Sequence, residues 1–149
     1  MAPDAPKRDG GPDIPEGFEV WVRSSPYLDL IGPIYVKRAD GGFVWGLRIE
    51  ERHANRRGFA HGGLLTTLAD ITLGHTAAMS REPPAMAVTV NLSTDFAGSA
   101  NVGDWVEARA DIQKVGRRVI FANCYLSVDG TRSVRASAVF SRVDDEAGG

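Results

Sequence analysis

Five residues inside one short stretch, Asn55, His61, Gly62, Gly63 and Asp70, have types and spacing that can do chemistry. Gly62 and Gly63 stand where a Leu- and Ala-rich run begins, at the predicted N-terminus of a helix. Backbone N–H groups there lack intrahelical acceptors and the helix dipole is positive. Glycine also lets a ligand approach the backbone closely. The combination suits a carbonyl oxygen that gains negative charge in a transition state, although a glycine pair equally serves as a tight turn into a helix. Asp70 is the one formal charge between Arg57 and Arg81. A carboxylate in so apolar a run must be hydrogen-bonded or pushed toward its neutral form, a cost more readily kept where the group acts as base or nucleophile. The plainer reading is a surface or loop-capping aspartate.

Spacing adds a constraint. Gly62 and Asp70 are eight residues apart, about 12 Å along a helix at about 1.5 Å per residue. That is too far for both to reach one carbonyl carbon from the same chain. They act on different substrates, or one comes from a second copy placed by a two-fold axis. Asn55 lies in the loop RHANRRGFAH and either orients the substrate carbonyl or caps the approach to the helix. His61 is an acid or, in the favoured reading, a residue that fixes the loop by one hydrogen bond. His75 shares a stripe with Leu64, Leu68 and Ile71 and reads as a satisfied core histidine. No metal site is expected, because His61 and His75 are far apart and no second carboxylate sits at ligand spacing.

The elements that must hold these residues follow from the hydrophobic pattern. A single helix is predicted from near His61 to Ser80, apolar on most sides, with Leu65, Ala69, Thr72 and Met79 flanking the main stripe. Before it, residues 18–31 read as a short helix or an irregular cover, and IYVKRAD with FVWGLRIEE as two strands or a hairpin. After Pro83 and Pro84 everything reads as strand, with Val88, Val90 and Leu92 alternating and turns expected at Gly116 and Asp129-Gly130. An α+β fold results, one long central helix wrapped by a five- or six-stranded antiparallel sheet. The helix side or sheet edge left uncovered predicts at least a dimer.

Composition narrows the function classes. The 149 residues fit one domain, here 18–143, between a flexible arm at 1–17 and a flexible tail at 144–149. A net charge of −2 gives no basic excess for nucleic acid. One cysteine, Cys124, permits no internal disulfide. No stretch approaches the length of a membrane span, and the first residues lack a signal-peptide core, so a cytoplasmic location is expected.

The stretch NRRGFAHGGLLTTLAD at Asn55–Asp70, TVNLSTDF at Thr89–Phe96, Gly103-Asp104 and KVGRR at Lys114–Arg118 resembles hotdog-fold thioesterases of the PaaI-like, phenylacetate-pathway type. The likeness runs over roughly residues 30 to 141. It implies the hotdog fold, edge-to-edge dimers that often pair again into tetramers, and an acyl-coenzyme A substrate with an aryl or medium-chain acyl group. It also implies roles. Gly62 would polarise the thioester carbonyl through its backbone N–H, with Asn55 helping and Gly63 beside it. Asp70 of the opposite subunit would activate water or attack directly. Thr89 falls where similar proteins carry a hydroxyl that holds the lytic water, its plainer reading being a β-former. Lys114, Arg117 and Arg118 are candidates for the coenzyme A phosphates, or else a solvated hairpin tip; Arg52, Arg56 and Arg57 form a second candidate group. Tyr27, Leu28, Met79 and Met86 are candidates to line the acyl cleft. No cofactor, metal, nucleic acid or membrane partner is implied. Ala60 departs from the larger apolar residue that often precedes the His-Gly-Gly run. The competing readings are a hydratase or dehydratase of the same fold and a noncatalytic acyl-coenzyme A-binding module.

Overall fold

The computed structural model describes residues 14–143. Two strands and a short helix come first: β1 (Glu19–Val20), α1 (Pro26–Ile31) and β2 (Tyr35–Ala39). Then follow β3 (Gly42–Arg48), a 3-10 turn at Glu51–His53, and the long helix α2 (Gly62–Ala78). Four long strands close the chain, β4 (Ala87–Phe96), β5 (Trp105–Val115), β6 (Val119–Val128) and β7 (Thr131–Arg142). All seven strands join one antiparallel sheet in the order β1-β2-β3-β5-β6-β7-β4.

The hotdog arrangement is as expected, a sheet around one long helix. The count exceeds five or six because the two-residue β1 pairs with β2, a segment whose sequence left helix and irregular cover open. Pro26 starts α1 rather than interrupting it, occupying the first turn where the missing N–H has no partner to lose. Ser25 caps that helix through its side chain. The Asp129-Gly130 turn joins β6 to β7 as a two-residue hairpin with both residues at positive φ, 48° and 80°, the conformation that matches strand twist.

The core lies between α2 and the concave face of the sheet. Leu64, Leu65, Leu68, Ala69, Thr72, Leu73 and Ala77 are buried along α2. All of these but Thr72 share one cluster with Ile120, Ala122, Cys124 and Leu126 of β6 and Val134, Ala136, Ala138 and Phe140 of β7. A fully buried leucine such as Leu68 or Leu73 contributes about 2 kcal/mol by burial. A second cluster, Phe18, Tyr35, Val44 and Trp105, sits apart from the first. Gly46 makes room for it: a Cβ there would lie 2.1 Å from the Trp105 ring. Ile14 packs against the same cluster; residues 1–13 of the arm expected at 1–17 and the expected tail at 144–149 lie outside the described residues.

Along α2, Gly63 is exposed and Asp70, Ile71, Gly74 and His75 are only half-buried, the helix side expected to be left uncovered. One expectation needs correction. On β4, the alternation of Val88, Val90 and Leu92 does not define one face. A bulge between Thr89 and Asn91 shifts the phase. Thr89 lies opposite Phe140 and Leu92 opposite Ala138, both facing the core, while Val88 and Val90 are exposed. β4 is also the outer strand beside β7, with its other edge unpaired among the described residues. Among the described residues, no helix is long and apolar enough to cross a membrane.

Candidate active site

The N-terminus of α2 is anchored by the loop that precedes it. The Asn55 Oδ1 accepts the N–H groups of Arg57 at 2.8 Å and Phe59 at 3.3 Å, and the Asn55 N–H reaches the Phe59 carbonyl at 2.7 Å. Its Nδ2 has no partner among the described residues and is left as a donor. Of the two readings for Asn55, the loop-capping one is therefore visible, and it occupies only the oxygen.

His61 caps the helix. Its Nδ1 accepts the Gly63 N–H at 2.9 Å, and its carbonyl accepts from Leu64 and Leu65. The Gly63, Leu64 and Leu65 amides are thereby satisfied, whereas the Gly62 N–H makes no hydrogen bond among the described residues. The sequence places both glycines at the helix start; the structure makes only Gly62 available as a donor to a ligand.

Asp70 lies two turns along α2, half-buried. The Thr89 hydroxyl donates to its Oδ1 at 2.9 Å. The bulge in β4 is what turns Thr89 inward, toward the helix. These two residues meet within one chain, while Gly62 and its cap His61 lie at the other end, after the loop that Asn55 holds. The two groups are separated by about 12 Å of helix, as the spacing requires. Lys114, Arg117 and Arg118 are exposed around the β5–β6 turn. Val119 and Val88 both lie opposite Ser141, so this turn is two strands, about 10 Å, from the start of β4 and on the same end of the sheet as Thr89.

Several residues without a sequence signal hold this geometry. His53 is buried; its Nδ1 accepts the Glu50 N–H at 2.9 Å and its Nε2 meets the Ile31 carbonyl at 2.7 Å. Acceptor on one side and donor on the other, it is held as the neutral ring. Burial lowers its pKa, with the Arg52 charge adding to the effect and the Ile31 hydrogen bond opposing it. The His53 carbonyl in turn accepts the His61 N–H at 2.8 Å, tying α1, the 3-10 turn and the cap together. Arg52 binds the Leu30 and Gly32 carbonyls at the end of α1 and Glu50 at 2.9 Å, which removes it from the candidate phosphate group. A histidine and an arginine in a loop have no periodicity to betray such a role.

His75 belongs to the core side of α2, as expected, but not as a hydrogen-bonded residue. Trp21, Phe43 and Trp45 surround it edge-on at 5.2–5.3 Å, and its ring has no hydrogen bond among the described residues. Burial lowers its pKa, helped by the Arg23 charge. The Cys124 thiol is pushed up to about 12, first by burial and then by Asp111, against a backbone hydrogen bond from Arg109; it is no nucleophile. Of the candidate lining residues, Leu28 is half-buried and Tyr27, Met79 and Met86 are exposed rather than core. Tyr27 reaches over the helix start, its hydroxyl 2.9 Å from that of Thr67.

The thioesterase superfamily model matches residues 57–134, more than half of the chain, from the loop before His61 through Gly62, Asp70 and Thr89 to β7. This chain belongs to the thioesterase superfamily. A Pseudomonas aeruginosa protein described as a candidate esterase is 49% identical over 129 residues, covering 86% of this chain and 96% of its own. Human acyl-coenzyme A thioesterase 13 is 29% identical over 117 residues, covering 78% and 83%. Among solved structures, a single-residue variant of the phenylacetic acid degradation protein PaaI from Thermus thermophilus is similar with a TM-score of 0.70 and 27% identity, covering 80% of this chain and all of that one. Within the superfamily the chemistry is thioester hydrolysis. Asn55 falls just before the matched span, and its hydrogen bonds tie it to Arg57, Gly58 and Phe59 of the loop.

Proposed function

We propose that the chain hydrolyses the thioester of an aryl- or medium-chain acyl-coenzyme A, in a homodimer whose two sites each take Gly62 from one copy and Asp70 from the other. The observation that carries this reading is the state of the two groups. Gly62 offers an unpaired amide at a helix start, and the carboxylate that must act with it is held about 12 Å away on the same helix. Only a second copy, related by a two-fold axis, brings both to one carbonyl. The unpaired edge of β4, ten residues long with Val88 and Val90 exposed, is the surface through which the copies pair. An open edge of that length is otherwise an aggregation hazard.

In this arrangement the thioester oxygen accepts the Gly62 N–H, with the Asn55 Nδ2 as second donor. Asp70 takes a proton from water, which attacks the carbonyl carbon. Charge gathering on the oxygen in the tetrahedral intermediate is stabilised by the helix-start amide. The C–S bond then breaks, releasing the free acid and the coenzyme A thiolate. The Thr89 bond supports water rather than direct attack by Asp70: it occupies one carboxylate oxygen, leaves the other to take the proton, and puts a hydroxyl oxygen beside it to accept the water's second hydrogen. Lys114, Arg117 and Arg118 meet the nucleotide phosphates. An acyl-coenzyme A substrate is supported by a relative named an acyl-coenzyme A thioesterase, and an aryl acyl group by one named a phenylacetic acid degradation protein.

The test is thiol release from phenylacetyl-, 4-hydroxybenzoyl- and octanoyl-coenzyme A by wild type and Asp70→Asn, with fold and oligomeric mass checked. Turnover by wild type and a loss of about 100-fold or more in the folded variant are expected. No turnover, or an active Asp70→Asn, contradicts the reading.

A further inference from the structure

β4 runs opposite to α2 and touches it at both functional ends. Near its start, Thr89 meets Asp70. At its end, Phe96 meets Gly62: a Cβ built on Gly62 would lie 3.3 Å from Cζ and 3.4 Å from Cε1 of the Phe96 ring. Phe96 pairs with the buried Val134, so its side chain points to the helix side of the sheet. Even so, half of it is exposed, 50%.

We propose that Phe96 is a positioning and specificity residue of the thioester site: its ring fixes the Gly62 amide, and its uncovered face is the wall on which the first carbons of the acyl group rest. This rests on the thioesterase reading above. Three features support it. The ring lies tight against the space a side chain at position 62 would take, so the amide is flanked from the sheet as well as from the helix. An apolar ring beside an unpaired N–H keeps water from one side of the donor, which strengthens its interaction with developing charge. Bare aromatic surface next to a lone polar donor is also the usual composition of a site for a ligand that is apolar around one polar atom.

The experiment measures kcat and KM of Phe96→Ala, Phe96→Leu, Gly62→Ala and the double variant Gly62→Ala/Phe96→Ala on phenylacetyl- and octanoyl-coenzyme A, with circular dichroism and oligomeric mass on each. Phe121→Ala, on an exposed aromatic of the opposite sheet face, is the control expected to leave both constants unchanged. Misplacement of the carbonyl site lowers kcat of Phe96→Ala by about 10- to 100-fold, with Phe96→Leu closer to wild type. Because the ring and the new methyl compete for one space, Gly62→Ala costs less in the Phe96→Ala background than in wild type. If Phe96→Ala does not fold, the same cycle in Phe96→Leu decides. Wild-type constants for Phe96→Ala, or strictly additive effects of the two substitutions, overturn the inference while leaving the thioesterase reading intact. Failure of wild type to turn over any thioester overturns both.

Discussion

The Thr89 hydroxyl donates to Asp70 Oδ1 at 2.9 Å, across the gap between an edge strand and the central helix. A hydrogen bond to a charged group is worth about 1.5–3 kcal/mol, or about 10- to 100-fold in rate if it acts on the transition state. Thr89→Val, which keeps the shape and the β-branch, should therefore lower kcat by about that factor with the fold unchanged. Thr89→Ser should stay near wild type. Steady-state kinetics of the two side by side check this; a fully active valine variant would remove Thr89 from the site.

Asn55 divides its two ends between two jobs, which substitution can separate. Its Oδ1 holds the loop through Arg57 and Phe59. Asn55→Asp keeps that acceptor and deletes the Nδ2 donor, so stability should hold while kcat/KM falls. Asn55→Ala loses both and should also cost about 1 kcal/mol of stability. Urea titrations beside kinetics distinguish them, and an aspartate variant with wild-type kcat/KM would confine Asn55 to the loop.

Stability should depend on His53. Its pKa lies below the ordinary 6.5 because it is buried. Above 6.5 the ring is neutral folded and unfolded alike, and the full stability is present. As the pH falls from 6.5 through the lower folded value, the unfolded chain takes up a proton the folded chain does not, and stability is lost. His75 acts in the same direction. Urea unfolding at about pH 7.5 and about pH 5 should show the drop, smaller in His53→Gln. An identical drop in that variant would exclude His53 as a source.

What the sequence made legible was whatever had period or punctuation. The Leu- and Ala-rich run is α2, starting where His61-Gly62-Gly63 predicted, and Asp129-Gly130 is the β6–β7 turn. What stayed hidden depended on the third dimension. Val88, Val90 and Leu92 look like one alternating face, and only pairing with β7 shows the bulge that turns Thr89 inward instead. The contact of Phe96 with Gly62 joins residues thirty-four positions apart and leaves no trace in local pattern. The His53 network likewise consists of bonds to backbone carbonyls and amides, which any sequence possesses.

The claim that the site is shared between two copies is tested most directly with a mixed dimer. One chain carries Gly62→Pro, which deletes the amide at a first helical position, after a His61 whose ψ of 133° suits a following proline; its Cβ also presses on the Phe96 ring, but within the same site. The other carries Asp70→Asn. Co-expressed with different tags and purified through both, the mixed dimer has one site with both defects and one with neither. Each parent homodimer should be inactive and the mixed dimer should recover about half of wild-type turnover. A mixed dimer as inactive as its parents would contradict the shared site and require Gly62 and Asp70 to act within one chain.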